Sequence, residues 1–199
     1  MCDERVAVAS YPECMPRSAR QIVPAGYYHV TTRANRDEAI FRDDHDRTWF
    51  LTLLTRYVKQ ESWQCLAYCL MTNHYHLVLR VPDASLSRGM GRLNGLYAQA
   101  FNKRHGRRGH LFAGRYRLTF IETEEHLAEA CRYVVCNPVR GGLCDHPSDW
   151  AWSSYRASAG LGRAPECLAL PAIHALFGGP AGYTAYVDEV LHVGEAAVR

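Results

Sequence analysis

Two apolar runs separated by only two residues constrain the fold of this chain most strongly. The runs, 63–71 and 74–81, each have about the length of one β-strand, and Thr72 and Asn73 join them. A connection this short holds two strands antiparallel as a hairpin, and Asn tolerates the positive φ angle that such turns demand. The sequence therefore predicts an antiparallel sheet that contains this hairpin.

The segments around the hairpin alternate between strand and helix patterns. Aromatic and β-branched residues predict a strand at 27–33, and apolar residues recur at helical spacing from about 43 to 61. A helix at 86–103, a strand at 116–121 and a helix capped by Thr123 follow. The order βαββαβα predicts an α+β fold, in which a ferredoxin-like antiparallel sheet is sandwiched by helices.

The ends of the chain differ in composition from the middle. Residues 1–20 are expected to form a flexible arm, and 158–199 a helical extension. The N-terminus has acidic residues and no apolar block, and no window approaches the roughly 18 apolar residues of a membrane-spanning helix. We therefore expect a cytoplasmic protein with no membrane partner.

The eight cysteines are expected to be reduced thiols, because the chain shows no secretory signal. Cys65 and Cys69 lie in an apolar, strand-like run and are expected to be buried. They precede His74 and His76, however, so a zinc-stabilised structural domain is a weaker alternative.

Positive charge is concentrated in one segment, although the whole chain carries a formal net charge of only +3. Between Asp83 and Glu122 there are eight basic residues and no acidic residue. Tyr97, Phe101 and Phe112 are interleaved with these arginines and lysine, as in surfaces that stack unpaired bases and contact phosphates. The segment predicts a polyanionic partner, and a solvated basic helix and loop is the alternative.

Two histidines share one face of the second hairpin strand. Strand alternation places His74 and His76 on one side and Tyr75 and Leu77 on the other. Parallel imidazoles at this spacing can bind one divalent cation. The motif alone is weak, and two half-exposed strand histidines without a ligand are the alternative.

A tyrosine lies off the apolar stripe of the third predicted helix. On a helical wheel, Tyr133 falls on the polar face with Glu129 at −4 and Asn137 at +4. A large aromatic side chain in this position indicates either a functional site or a partly exposed tyrosine. Tyr155 is expected to pack in the core.

The segment 71–79 resembles the HUH motif of single-tyrosine transposases, in which two histidines flank a hydrophobic residue. Four further segments resemble the REP-associated branch of that insertion-sequence family, namely 26–31, 109–117, 132–143 and 152–156. Because the motifs occur in the family's order, the chain is identified as a member, with its transposase domain over 21–157. Residues 15–17 resemble the usual start of relatives, so 1–14 are interpreted as an added leader.

The resemblance implies a metal-dependent endonuclease and strand transferase that acts on single-stranded or hairpin DNA, with repetitive palindromic elements as substrate. His74 and His76 would hold Mg²⁺ or Mn²⁺, Tyr133 would be the nucleophile, and Asn137 would be a further metal ligand. Attack by the tyrosine would give a 5′-phosphotyrosine intermediate. The resemblance does not decide whether the active form is a monomer or a homodimer, and it implies a nucleoid-associated enzyme.

Several further residues are assigned to this site. The expected DNA contacts are Arg104, Arg107, Arg108, Arg115 and Arg117. His110 is an accessory residue that contacts DNA or solvent, and Glu129 is an alternative metal ligand or proton acceptor. A non-catalytic DNA-hairpin-binding protein with the same fold is the second hypothesis, but such a binder would not need the set His74, His76, Tyr133 and Asn137.

Overall fold

The computed structural model describes residues 23–196, so the predicted N-terminal arm and leader lie outside the described part of the chain. The strands are β1 (Gly26–Arg33), β2 (Gln64–Leu70), β3 (His74–Val81) and β4 (Arg117–Ile121). The longer helices are α1 (Asp44–Gln60), α2 (Leu86–Arg104) and α3 (Glu124–Val135). After them come α4 (Asn137–Arg140), α5 (Tyr155–Ser158), α6 (Leu170–Phe177) and α7 (Pro180–Ala196).

The four strands form one antiparallel sheet in the order β2-β3-β1-β4. β1 and β3 are the central pair, and they pair along their whole lengths from Gly26 with Val81 to Arg33 with His74. This arrangement confirms the predicted ferredoxin-like α+β fold, because β1 and β4 lie side by side although 83 residues of chain separate their facing ends.

Helices cover both faces of the sheet. On one face, Phe50 of α1 stacks against Tyr75 of β3, and Tyr97 of α2 contacts Phe50 in turn. On the other face, α3 buries Leu127, Cys131 and further apolar residues against β2 and β3. Alternation along β3 therefore sends Tyr75 into the α1/α2 layer and His76 towards α3.

The hairpin between β2 and β3 is confirmed, but its predicted turn conformation is wrong. Among the described residues, the non-glycine positions with positive φ are Arg36 and Ser62, so Asn73 does not adopt that conformation. The carbonyls of the turn instead accept hydrogen bonds from another loop, with Ala34 N to Asn73 O at 2.7 Å and Ile40 N to Thr72 O at 2.9 Å. These tertiary contacts fix the turn without a left-handed residue.

The C-terminal helices share the hydrophobic core of the sheet. Ile173 of α6 and Tyr183 and Val187 of α7 are buried in the same cluster as the strand residues. The backbone before α6 is tied to the edge strand, since Ala169 N donates to Cys65 O at 2.8 Å. Among the described helices, none is long and apolar enough to cross a membrane.

Candidate active site

The central strands bring polar side chains to the face that α3 covers. β1 pairs Thr31 with His76 and Arg33 with His74, and β4 pairs Arg117 with Thr31. Directly paired residues of an antiparallel sheet project to the same side. Residues from three separate segments of the chain therefore meet on one surface.

Helix α3 places Tyr133 over this surface. Thr123 caps the helix, because its hydroxyl accepts a hydrogen bond from His126 N at 3.1 Å. The Tyr133 ring meets His76 edge-on at a centroid distance of 5.9 Å and His29 at 5.7 Å. Tyr133 remains 36% exposed, so its side chain contacts the histidines and is still accessible to a substrate.

A cavity of about 460 Å³ opens where α3 crosses the sheet. It is lined by His29, Thr31, Arg33, His76, Arg117, Thr119, His126, Glu129, Ala130 and Tyr133. Four residues singled out in the sequence, His76, Tyr133, Arg117 and Glu129, thus share one cavity. The carboxylate of Glu129 also accepts a hydrogen bond from Arg132.

His76 is held by a small network beneath Tyr133. Its Nδ1 lies 2.9 Å from His29 Nε2 and 3.1 Å from the Thr31 hydroxyl, while that hydroxyl lies 3.3 Å from His29 Nε2. Burial lowers the pKa of His76 to about 3, and the neighbouring His29 and His74 act in the same direction. Burial also lowers the pKa of His29. His76 is therefore neutral at pH 7, which is the protonation state of a metal-binding imidazole.

His74 lies next to His76 at the end of β3. The two ring centroids are 5.0 Å apart, and the rings are nearly perpendicular. His74 Nδ1 lies 2.7 Å from Asn73 Oδ1, a pairing in which Nδ1 donates and Nε2 carries the lone pair. An acceptor on the second ring nitrogen is the usual way in which proteins orient a metal-binding histidine. The donor set and its support therefore fit a divalent cation.

Asn137 occupies a different element from the one predicted. Helix α3 ends at Val135, and Asn137 starts the one-turn helix α4, in which Pro138 follows. Pro138 has no N–H to continue the hydrogen-bond ladder of α3. The Asn137 side chain donates from Nδ2 to the Tyr133 carbonyl at 2.9 Å. It thus contacts the backbone of the tyrosine and is not among the residues that line the cavity.

The basic residues predicted to contact DNA fall into two groups. Arg104 pairs with Asp43 at 2.6 Å and with the buried Asp46 at 2.5 Å, and Arg107 pairs with Glu38. The other predicted contacts, Arg108, Arg115 and Arg117, are exposed.

A second cavity, of about 790 Å³, lies between α2 and the loop that holds His110 and Arg115. Its floor includes Leu111 and Phe112. This loop is attached to the end of β1, since Ala113 N donates to Arg33 O at 3.1 Å. Arg33, which lines the first cavity, is thus hydrogen-bonded to Ala113, which lines the second, although the second cavity lies on the α2 face of the sheet and the first on the α3 face.

Within the described part of the chain, Cys65, Cys69, His74 and His76 do not form a zinc site. Cys65 and Cys69 are buried, and Cys69 donates its thiol to Met71 Sδ at 3.6 Å. Among residues 23–196, one group of three side chains that could bind a metal has its ligand atoms close to one another. It consists of Asp43, His45 and Asp46. That group lies at the start of α1, away from the histidine pair, and Arg104 already binds both of its carboxylates.

Sequence reasoning missed His29, Thr31 and Arg33, which all line the first cavity. Their signal was present in the alternation of β1, where polar residues at every second position interrupt an aromatic and β-branched run. The alternation of β1 does not show which strand lies beside it. Only the strand order places this polar face next to His76.

Comparison with known proteins supports this architecture. No curated protein matches the chain in sequence. The structure of a REP-associated tyrosine transposase bound to a REP hairpin superimposes with a TM-score of 0.60 at 18% identity, covering 78% of this chain and 92% of that one.

Two further solved structures resemble the chain more weakly. A protein of Deinococcus radiodurans R1 that is assigned as a transposase gives a TM-score of 0.42 at 16% identity, over 56% of this chain and 91% of that one. The tRNA(His) guanylyltransferase of Saccharomyces cerevisiae gives 0.44 at 11% identity, over 85% and 79%. In sequence, residues 22–137 match the family described as "Transposase IS200 like", and the chain therefore belongs to the IS200-like transposase family.

Proposed function

We propose that this transposase nicks and rejoins single-stranded DNA at hairpin elements through a covalent bond to Tyr133. The observation that carries the proposal is the edge-on contact between the exposed Tyr133 ring and the buried, neutral His76 in one open cavity. A nucleophile beside a pair of metal-binding imidazoles is the arrangement that phosphoryl transfer to a tyrosine needs. The catalytic domain spans 21–157.

His74 and His76 would hold Mg²⁺ or Mn²⁺, with Asn137 or Glu129 as a further ligand. The bound cation would polarise a phosphate oxygen of the DNA. His29 and Thr31 keep His76 in place through their contacts with its Nδ1, which leaves Nε2 as the ligand atom. Asn137 would need to turn its side chain from the Tyr133 carbonyl to reach the cation.

The covalent step exchanges one phosphorus–oxygen bond for another. The phenolic oxygen of Tyr133 bonds to phosphorus, the bond from phosphorus to the 3′ oxygen breaks, and the 5′ phosphate stays on the tyrosine. The phenol gives its proton to an acceptor, and the departing 3′ oxygen takes one up. Glu129, one helical turn before Tyr133 and in the same cavity, is the accessory acceptor. Attack by another 3′-OH reverses the step and joins strands.

The basic surface would hold the DNA on either side of this step. Arg117 lies in the cavity of Tyr133, and Arg115 and His110 line the second cavity, so both cavities carry basic or imidazole side chains that can contact DNA. The REP hairpin bound by the structurally similar transposase supports a hairpin as the substrate class. Exposed arginines beside a half-buried aromatic such as Phe112 suit unpaired nucleotides.

The test uses a DNA hairpin with randomised single-stranded flanks, labelled at the 3′ end and incubated with the protein and Mg²⁺ or Mn²⁺. We expect the label to migrate with the protein in a denaturing gel. Tyr133→Phe should abolish the labelled band and keep hairpin affinity within about twofold, because only the nucleophilic hydroxyl is lost. Tyr27→Phe, which alters a half-buried tyrosine outside the cavity, is the control and should leave the band unchanged.

Two outcomes would contradict the proposal. Hairpin binding without any adduct from the wild-type protein would favour the non-catalytic binder. An adduct that persists in Tyr133→Phe would exclude Tyr133 as the nucleophile.

A further inference from the structure

The short helix α4 carries Arg140 back over the Tyr133 ring. The guanidinium carbon lies 4.8 Å from the centroid of that ring. A cation within about 6 Å of an aromatic face is attracted by the negative charge density of the ring. The ring of Tyr133 is therefore in contact with Arg140 as well as with His29 and His76.

Local backbone contacts determine the position of Arg140. Asn137, the first residue of α4, donates its side-chain amide to the Tyr133 carbonyl and so ties α4 to the end of α3. Gly141 N donates to Asn137 O at 2.9 Å and closes the single turn. A Cβ atom at Gly141 would lie only 3.3 Å from that oxygen, so glycine allows the turn to close tightly. Arg140 is thus presented to Tyr133 by a fixed element.

The charge of Arg140 is not neutralised within the described chain. Five other arginines of the described chain, Arg47, Arg88, Arg104, Arg107 and Arg132, each have a carboxylate oxygen within 4.0 Å. Over residues 23–196, no carboxylate lies that close to Arg140. The side chain is exposed, and its positive charge is directed to the tyrosine ring.

We propose that Arg140 is a positioning residue for the nucleophilic Tyr133. This inference rests on the proposed function, since it assigns a role only if Tyr133 attacks DNA. The guanidinium contacts the face of the ring, and the two histidine rings meet it at steep angles, so three contacts restrict the direction of the hydroxyl. The same positive charge favours the negative charge that the phenolic oxygen gains as its proton leaves, before the bond to phosphorus forms.

The experiment measures two quantities for each variant, the rate of adduct formation at saturating hairpin DNA and the affinity for that DNA. Arg140→Ala is expected to slow adduct formation at least about tenfold and to change the affinity less than about threefold. Arg140→Lys, which keeps the charge but not the planar fork, should give an intermediate rate. Guanidinium ion at a non-denaturing concentration should restore part of the rate of Arg140→Ala. A merely structural role would not respond to the added ion.

Arg163→Ala is the matched control, because it removes one exposed positive charge far along the chain from α4. Its adduct rate should equal that of the wild-type protein. The inference is overturned if Arg140→Ala forms the adduct at the wild-type rate, or if its defect lies only in DNA affinity. The proposed function fails in a different way, since the wild-type protein itself would then give no adduct.

Discussion

At the scale of single residues, the decisive property of the site is that His76 is neutral and oriented. Burial beneath Tyr133 lowers its pKa to about 3, and contacts from His29 and Thr31 occupy its Nδ1. A protonated imidazole cannot bind a cation, so the same burial that removes the charge prepares the ligand. Two consequences can be measured on the isolated protein.

The first consequence is a dependence of stability on pH. The pKa of His76 is about 3 in the folded protein and about 6.5 in the unfolded chain, so the unfolded chain binds more protons below about pH 6.5. Stability attributable to His76 is therefore present at neutral pH and falls as pH decreases towards 3. Between about pH 7.5 and about pH 5, this histidine should account for about 2 kcal/mol of lost unfolding free energy.

Urea unfolding with EDTA at both pH values checks this expectation, and His76→Gln is the comparison. Gln cannot take up a proton, so the variant should lose less stability on acidification than the wild-type protein. Equal losses in the two proteins would show that His76 is not the group responsible.

The second consequence concerns His29. Because its Nε2 contacts His76 Nδ1 at 2.9 Å, His29→Asn should weaken Mn²⁺ binding about tenfold, as removal of a residue behind a metal ligand usually does. Calorimetric titration with Mn²⁺ measures the effect. His126→Asn is the matched control, since His126 lines the cavity without a hydrogen bond to His76. Equal Mn²⁺ affinity for His29→Asn and the wild-type protein would contradict the assigned role.

At the scale of elements, one buried carboxylate joins the start of α1 to the end of α2. Asp46 accepts hydrogen bonds from Arg104 Nη1 at 2.5 Å, from His105 Nε2 at 2.9 Å and from Arg42 N at 2.9 Å. The last residue of α2 and the residue that follows it are therefore both bonded to Asp46 at the point where the basic loop begins. Arg104 thereby has a structural contact, whether or not it also reaches DNA.

Asp46→Asn is expected to destabilise the fold by about 2 kcal/mol, because an amide cannot replace a buried carboxylate that accepts from both the Arg104 guanidinium and the His105 ring. The midpoint of denaturant unfolding at pH 7 measures this loss. Asp44→Asn is the control, since the Asp44 side chain is 81% exposed and should cost little. If both variants unfold at the same midpoint, the hydrogen bonds of Asp46 do not contribute to stability.

The sequence predicted the elements better than it predicted their ends. Periodicity located α1 and α2 to within one or two residues, because one buried face dictates the pattern of each helix. It failed at the Thr72-Asn73 turn and at Asn137, where contacts with distant backbone or the proline after Asn137 decide the local structure. Neither effect is visible in a helical wheel or a propensity scale.

At the scale of the whole molecule, the basic segment between β3 and α3 reaches the cavity of Tyr133 through Arg117. The family resemblance drawn from the motifs is confirmed, and the structure places His76 beside Tyr133. The sequence did not indicate a role for His29, because that role depends on β1 lying between β3 and β4. The order of the strands cannot be deduced from any single segment. The contribution of each arginine to DNA binding likewise depends on which carboxylates lie beside it in the folded chain.

Salt dependence can separate the arginines by their local partners. Each phosphate contact adds about 0.7 to the slope of log affinity against log salt concentration for single strands, and about 0.9 for duplex. Arg117→Ala should lower the slope by about this amount, whereas Arg104→Ala should change it less, because Asp43 and Asp46 already neutralise Arg104. Fluorescence anisotropy over a salt series measures both slopes. The opposite ranking would show that Arg104 leaves its carboxylates to bind DNA.

The most direct test of the central claim is mass spectrometry of the protein after reaction with hairpin DNA. Trypsin cleaves after Arg132 and after Arg140, so digestion with nuclease and trypsin releases the peptide 133–140. This peptide contains a single tyrosine. We expect this peptide to carry a nucleotide joined through its 5′ phosphate to Tyr133. A nucleotide on any other peptide, or hairpin cleavage with peptide 133–140 unmodified, would contradict the account.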